Sequence, residues 1–334
     1  MAMKLTIIIP SHNAESTIDL AIKAVLRQKC RSEFEVIVVD DASTDGTREA
    51  ARQFPVRLIA LAANAGAGAA RNAGAKSAVG CILLFVDSDV YLEPGVISQI
   101  EDFFDKNPEA AAVVGNYSEI PVDRGGCSMY HNFFTVYHHA MSGAKIEWFW
   151  GALSAIRKED FDELSGFSDA YPGANAEDIE LGYRLSEAGF EINFLPDLRG
   201  AHARKFSLGS MLYNDYHKAV LGLKLYWTRK NNARHPHGFS NFLNGFNTVI
   251  AMLSWPALLT SLFHGGTFYF FLFLLFAAAN FRFYRFIQKR AGWLYVITSI
   301  PLHWATFNAI AAGAIGGAIG LIRGKGLESK SRWI

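Results

Sequence analysis

Short apolar runs alternate with amphipathic stretches through the first part of this chain, and each run stops at a polar or small-residue segment. Lys4-Leu5-Thr6-Ile7-Ile8-Ile9, Phe34-Glu35-Val36-Ile37-Val38-Val39, Val56 to Leu61 and Cys81-Ile82-Leu83-Leu84-Phe85-Val86 have the length and near-continuous apolarity of buried strands. Between the first two, Glu15 to Gln28 carries Ile18, Ala21, Ile22, Val25 and Leu26 at helical spacing. This alternation predicts an α/β fold: a mostly parallel sheet with helices on both faces. Sheets of that kind bind ligands outside the carboxyl ends of their strands, so the residues just past each run carry the functional information.

The first run ends in Pro10-Ser11-His12-Asn13. After the second comes Asp40-Asp41-Ala42-Ser43-Thr44-Asp45-Gly46-Thr47, a polar turn that can also cap the next helix. The third leads into Ala65 to Gly74, a small-residue loop opening a helix; backbone can approach a ligand there, and Arg71 can face a phosphate. The fourth ends in Asp87-Ser88-Asp89, and Pro94 beyond it can open a helix. Two carboxylates one residue apart repel each other. A hard divalent cation relieves the repulsion, and Mg²⁺ characteristically takes one or two carboxylates together with substrate phosphates. For Asp-Ser-Asp taken alone, a solvated turn with an aspartate cap is the plain alternative.

Composition removes several function classes. A net charge of +1 argues against general nucleic-acid binding, which needs a basic surface. Cys30, Cys81 and Cys127 have no zinc or redox spacing and read as reduced thiols of a cytosolic compartment. Met1 to Lys4 leads straight into a strand, with no signal-peptide pattern. The glycine-rich stretch does not follow the first strand, which argues against a dinucleotide-binding fingerprint.

Taken in order, Thr6 to Asn13, Val38 to Thr47, Ala70-Arg71-Asn72-Ala73-Gly74 and Val86 to Asp89 resemble family 2 glycosyltransferases across roughly residues 4 to 205. The resemblance implies the GT-A type nucleotide-diphospho-sugar transferase fold. It implies that Pro10 and Asp41 line a nucleoside pocket, with Asp41 on the base, although a lone Asp41 would also serve as a helix cap. It implies that Asp89 holds Mg²⁺ or Mn²⁺ and that Asp87 contacts ribose and metal. His12, Asn13, Glu15, Arg71 and Ser88 join these as candidate nucleotide-sugar contacts.

Further along, Val113 to Tyr117 reads as another strand. His131, His138 and His139 share no face with an acidic partner, so surface or acceptor-lining roles fit better than metal. Trp148-Phe149-Trp150-Gly151 leads into an apolar strand; aromatic faces suit sugar rings, which makes Trp148, Trp150 and Gly151 acceptor candidates, against a core edge as the bland alternative. A second chemical centre is Gly173-Ala174-Asn175-Ala176-Glu177-Asp178, opening a helix that Gly189 ends. Acids in a first turn are ordinary dipole partners. The resemblance gives them more: Asp178 as general base on the acceptor hydroxyl, supported by Glu177. His202, after a short strand at Glu191 to Leu195, stands where many relatives complete the metal shell. Arg204 and Lys205 follow as a basic pair, for phosphate or for solvent.

From residue 206 the character shifts. Leu208, Leu212, Tyr216, Val220, Leu223 and Trp227 recur at helical spacing, as an interfacial helix or one packed on the catalytic domain. The Gln-x-x-Arg-Trp motif of processive relatives is missing; Leu225-Tyr226-Trp227-Thr228-Arg229 stands near its place, which argues against a polymer-extruding synthase. Phe246 to Phe263, Thr267 to Phe281 and Trp293 to Ile322 are nearly free of charge, which predicts a transmembrane region over 242–334 with two or three spans, after a linker over 206–241. Gly313, Gly316, Gly317 and Gly320 give small-xxx-small steps suited to close helix packing. A cytosolic catalytic domain on the side of Arg282 to Arg290 follows the positive-inside rule, whereas a third full span would set Arg323, Lys325, Lys330 and Arg332 against it, so a re-entrant last segment and an overridden rule both stay open.

The expectation is a multi-pass membrane enzyme, inverting and metal-dependent. It moves a sugar from a nucleotide-diphosphate sugar, with UDP the commonest leaving group in such families, to a membrane-associated glycan or lipid-linked acceptor. A polyprenyl-phosphate glycosyltransferase is the rival within the class. A non-catalytic membrane scaffold that binds a nucleotide sugar is the rival outside it.

Overall fold

The computed structural model describes residues 5–169, 176–229, 242–264 and 266–323. Its described residues divide into two compact units, one holding those up to Ser118 and from Ser142 to Ala203, the other holding Glu119–Met141 and those from Arg204 to Arg323.

The first unit opens with β1 (Leu5–Ser11), α1 (Ile18–Leu26), β2 (Phe34–Asp40), α2 (Thr47–Ala51), β3 (Arg57–Ala60), α3 (Ala67–Ser77) and β4 (Ile82–Val86). β5 (Val90–Leu92), α4 (Val96–Lys106) and β6 (Ala110–Tyr117) come next. The chain then enters the second unit through α5 (Gly126–Ala140) and returns with β7 (Lys145–Ile146), β8 (Leu153–Arg157), α6 (Lys158–Glu163), α7 (Glu177–Glu187) and β9 (Glu191–His202). The strands form one sheet in the order β3-β2-β1-β4-β8-β6-β9-β5, with β7 on β9.

The first half of that sheet follows the alternation in the sequence. β1 pairs parallel with β2 and β4, and β2 with β3. β8 then runs antiparallel to both β4 and β6, and β5 and β7 run antiparallel to β9. The sheet as a whole is therefore mixed where a mostly parallel one was expected. The reason is connectivity: a parallel neighbour needs a crossover helix on the sheet, and the chain reaches β8 through an excursion into the other unit.

Burial explains why the strands lie where the sequence puts them. All of β1, β4 and β6 is buried. Phe85 of β4 meets Phe161 and Phe167 at ring distances of 5.5 and 5.3 Å, and Ile8, Val39, Phe149 and Leu181 share the same core. α3 lies so close over β1 that a Cβ on Gly74 would come 2.5 Å from the Ile8 side chain, so this helix needs glycine there. Two short elements differ from expectation. Residues 90–92 pair with Gly200–His202, and α4 starts only at Val96, after Gly95 with φ +88°, rather than at Pro94. β9 also runs on past Leu195 to His202, with a register shift opposite Val114/Asn116.

In the second unit α5 is joined by α8 (Leu208–Arg229), α9 (Phe242–His264), α10 (Thr267–Ala279), α11 (Phe281–Ala291) and α12 (Trp293–Ile322). The small-residue stripe of α12 has a partner within the chain. A Cβ on Gly313 would strike Tyr216 and Ala219 of α8, Gly317 faces Val220, and Gly320 faces Lys224, in ascending register. α8 is thus a packed helix, and its packing partner is α12. His131, His138 and His139 are buried inside this unit rather than at a surface, and His131 Nε2 lies 3.4 Å from Asp215 of α8. Among the described residues one helix, Trp293–Ile322, is long and apolar enough to cross a membrane. α10 and α11 meet that test only together, bent by 61°. Arg234 to Gly238, Gly265, Lys325, Lys330 and Arg332 lie outside the described residues.

Candidate functional site

The loops that follow β1 and β2 are tied to each other. Asn13 donates its backbone N–H to Ser43 Oγ (2.9 Å) and accepts at Oδ1 from the Thr44 amide (2.9 Å). Ala14 N–H donates to Thr47 Oγ1 (2.7 Å), Glu15 N–H to Asp45 (3.1 Å), and the Gly46 amide to Glu15 Oε2 (3.2 Å). The pairing holds Asn13 and Ala42 at positive φ, 49° and 56°, in the left-handed region that Asn tolerates and Ala does not favour. Beside this zipper, Asp41 is 3% exposed and accepts two backbone bonds, from Ala65 (2.7 Å) and Gly66 (2.8 Å), in the loop opening α3. It caps no part of α2; the helix it organises is α3. His12 sits over it, with Nδ1 2.7 Å from the Asp41 carbonyl and Nε2 3.1 Å from Asn64. Pro10 is buried at the end of β1 beside Val39 of β2.

The other end of the site is assembled by one side chain. Arg71, on α3 and 3% exposed, donates to Asp87 Oδ1 at 2.7 Å and to Glu177 Oε1 at 3.0 Å. It thereby joins the end of β4 to the first turn of α7, a residue more than a hundred positions further along the chain than Arg71 itself. Burial alone would lower the pKa of this guanidinium; Asp87, Glu177 and Asp178 outweigh it and raise it. Burial pushes the Asp87 carboxyl upward, Asp89 and Asp178 add to that, and Arg71 pulls against them. Gly151 completes the arrangement. Its amide donates to Asp178 Oδ2 (3.1 Å), and a Cβ there would lie 2.5 Å from the Arg71 guanidinium carbon.

The short β5 delivers a third group. Its pairing of Val90 with His202 brings His202 Nε2 to 3.6 Å from Asp89 Oδ2. Tyr117, at the end of β6, stacks flat on His202 (4.2 Å between centroids, 9° between planes) and meets the edge of Trp150 at 4.6 Å. Ser88 is half-buried in the turn between the two aspartates. Asp87, Asp89, Glu177, Asp178, Arg71, Gly151 and His202 are thus gathered at the carboxyl end of β4 or linked to it through these contacts, while Pro10, His12, Asn13, Glu15 and Asp41 belong to the β1–β2 loops.

The model of the glycosyl transferase family 2 matches residues 6–165, and that of the N-terminal domain of galactosyltransferase matches residues 131–206. The chain carries a glycosyl transferase family 2 domain. Validoxylamine A glucosyltransferase of Streptomyces hygroscopicus subsp. limoneus is 28% identical to it over 60% of this chain and 51% of the relative. A probable glycosyltransferase of Bacillus subtilis is 29% identical over 58% and 49%. The chain spans about half the length of these curated relatives. Among solved structures, the mannosyltransferase of Pyrobaculum calidifontis in complex with GDP-Man and Mn²⁺ superposes with a TM-score of 0.59 at 18% identity, covering 97% of this chain and 88% of that one. The fold is shared across almost the whole chain.

Two acceptor candidates in the family 2 domain take other roles. Trp148 is 3% exposed in the core against Phe194, and so offers no ring face to a sugar. The group that approaches Gly151 closely is Arg71. Trp150 is half-buried beside Tyr117. Gly173, Ala174 and Asn175 lie outside the described residues. Tyr117 was not singled out by sequence; a tyrosine ending an apolar strand carries no signal until the partner strand is known. Among the described residues no three His, Cys, Asp or Glu side chains form a metal cluster by themselves. Asp89 and His202 supply a carboxylate and an imidazole side by side, a donor set that fits a divalent ion whose other positions go to diphosphate oxygens and water.

Proposed function

We propose that this domain transfers a sugar from a nucleotide-diphosphate sugar to an acceptor hydroxyl or phosphate with inversion at the anomeric carbon. The observation that carries the reading is the Arg71 bridge, which holds Asp87 just past β4 and Glu177 beside Asp178 on α7 as one unit. Asp41, Pro10, His12 and Asn13 form the nucleoside end, with Glu15 behind them and Ser88 and Asp87 toward the ribose. Asp178 takes the acceptor proton as the acceptor oxygen attacks the anomeric carbon. The bond from that carbon to the diphosphate oxygen breaks, and its electron pair leaves with the nucleoside diphosphate. Glu177 and the Gly151 amide keep Asp178 in place.

Asp89 and His202, with Asp87 near them, would hold Mg²⁺ or Mn²⁺, which supplies charge stabilisation for the leaving diphosphate. Trp150 and Tyr117 would face the acceptor. UDP-sugars are the first donors to try, with GDP-sugars beside them because the structural neighbour was solved with GDP-Man. The acceptor is a glycan or lipid-linked molecule at a membrane. The apolar helices of the second unit attach the chain there, multi-pass and with the family 2 domain in the cytoplasm.

The test is release of nucleoside diphosphate from a panel of donors, with and without Mn²⁺ or Mg²⁺, beside Asp89→Ala. Metal-dependent release from one donor, lost in the variant, supports the reading. Donor binding without release or transfer, across plausible acceptors, would favour a binding scaffold.

A further inference from the structure

The second unit carries a basic edge that no part of the proposed chemistry uses. α11 has no acidic residue and five cationic or amide side chains, and it follows α10 at a 61° bend. At 100° per residue, Arg282, Arg285 and Lys289 fall within about 60° of arc. All three are exposed. The opposite face, Phe283, Tyr284 and Ile287, is buried in the unit's core. Arg290, off that arc, is already occupied: it pairs with Glu119 at 2.8 Å and lies 3.8 Å over the Phe286 ring. Arg285 and Lys289 have no ion-pair partner among the described residues.

The side chains flanking this edge are apolar and equally uncovered. Phe268, Phe270, Phe271 and Leu274 of α10 are each at least half exposed, as are Phe281 before the basic residues and Trp293 and Leu294 after them. Three cations in a row beside exposed rings do not suit an aqueous surface or an apolar protein partner. They suit the boundary of a bilayer. Apolar side chains enter hydrocarbon there, aromatic rings sit at headgroup depth, and cations meet lipid phosphates.

We infer that α11 lies in the membrane interface and that Arg282, Arg285 and Lys289 bind the headgroups of anionic phospholipids. The inference rests on the membrane attachment proposed above and adds a headgroup class and the residues that select it. Basic residues near an anionic leaflet each contribute measurably, so three on one arc enrich anionic lipid locally.

The full chain, reconstituted in nanodiscs of phosphatidylcholine and phosphatidylglycerol, tests this. Bromine is carried on the tails of one lipid at a time. Quenching of Trp293 is taken as the difference between the native chain and Trp293→Phe. The expected result is quenching at least about twofold stronger from brominated phosphatidylglycerol. That ratio should fall to unity in Arg282→Gln/Arg285→Gln/Lys289→Gln, a change that keeps helix propensity. If the triple variant does not reconstitute, the native chain at about 0.5 M salt serves instead, because screening weakens exposed charge contacts. Equal quenching by the two lipids in the native chain overturns the headgroup preference alone. A preference that survives the triple substitution overturns the assignment to these residues. Quenching by neither lipid overturns the membrane contact beneath both.

Discussion

The two ends of the candidate site are held together by different means. At the β1–β2 end, several modest hydrogen bonds tie neighbouring loops, and those among Asn13, Glu15, Ser43, Thr44, Asp45 and Gly46 are exposed contacts. At the β4–α7 end, one buried guanidinium spans two carboxylates from distant parts of the chain. The first arrangement spreads its stability over many small terms, each worth about 0.5–1.5 kcal/mol net. The second concentrates it, because removing one partner of a buried ion pair leaves an uncompensated charge. Tolerance to substitution should therefore differ sharply across a single site.

The largest effect is expected at Arg71. Arg71→Met keeps much of the side-chain volume but leaves Glu177 buried without its cation, and should cost about 3–5 kcal/mol in denaturant unfolding of the full chain. Next comes Gly151→Ala. A methyl group would sit 2.5 Å from the Arg71 guanidinium, which its two carboxylates prevent from retreating. Overpacking of this kind costs about 1–3 kcal/mol, and turnover should fall with it because the Gly151 amide also holds Asp178. Asp41→Asn should lose about 1–2 kcal/mol, since an amide NH₂ would face either the Ala65 or the Gly66 N–H in place of a carboxylate oxygen. Smallest of all, Glu15→Ala removes one exposed acceptor from the Gly46 amide and should stay within about 0.5 kcal/mol by the same measurement. A loss at Glu15 comparable to that at Arg71 would erase the contrast between the two ends.

Much of this site was legible because its residues stand at the ends of apolar runs. Asp41, Asp87 and Asp89 are placed by β2 and β4, and buried strands announce themselves in composition. Periodicity could not show pairing between distant segments. β5 is three residues long, too short to register as a strand, yet its register with β9 is what sets His202 against Asp89. The Arg71–Glu177 bond and the fit of Gly151 against Arg71 are likewise long-range facts: a glycine beside two tryptophans reads as room for a sugar, and only the fold puts the guanidinium there. Trp148 shows the same limit in reverse: an aromatic run does not reveal which ring the core has taken. The excursion of Glu119–Met141 into the helical unit was hidden for a related reason, since α5 has no clean apolar period and its three histidines are buried by helices far along the chain. The glycines of α12 did signal close packing. Only the structure names α8 as the partner.

The central claim is that Asp178, fixed by Gly151 and backed by the Arg71–Glu177 pair, takes the acceptor proton while the donor is bound elsewhere in the site. Asp178→Asn tests it most directly, with donor affinity and acceptor-dependent turnover measured on the same preparation. Turnover reduced by about 10²–10⁴-fold with donor affinity kept near that of the native chain is the predicted result. Undiminished turnover, or donor affinity lost in step with it, would contradict the assignment.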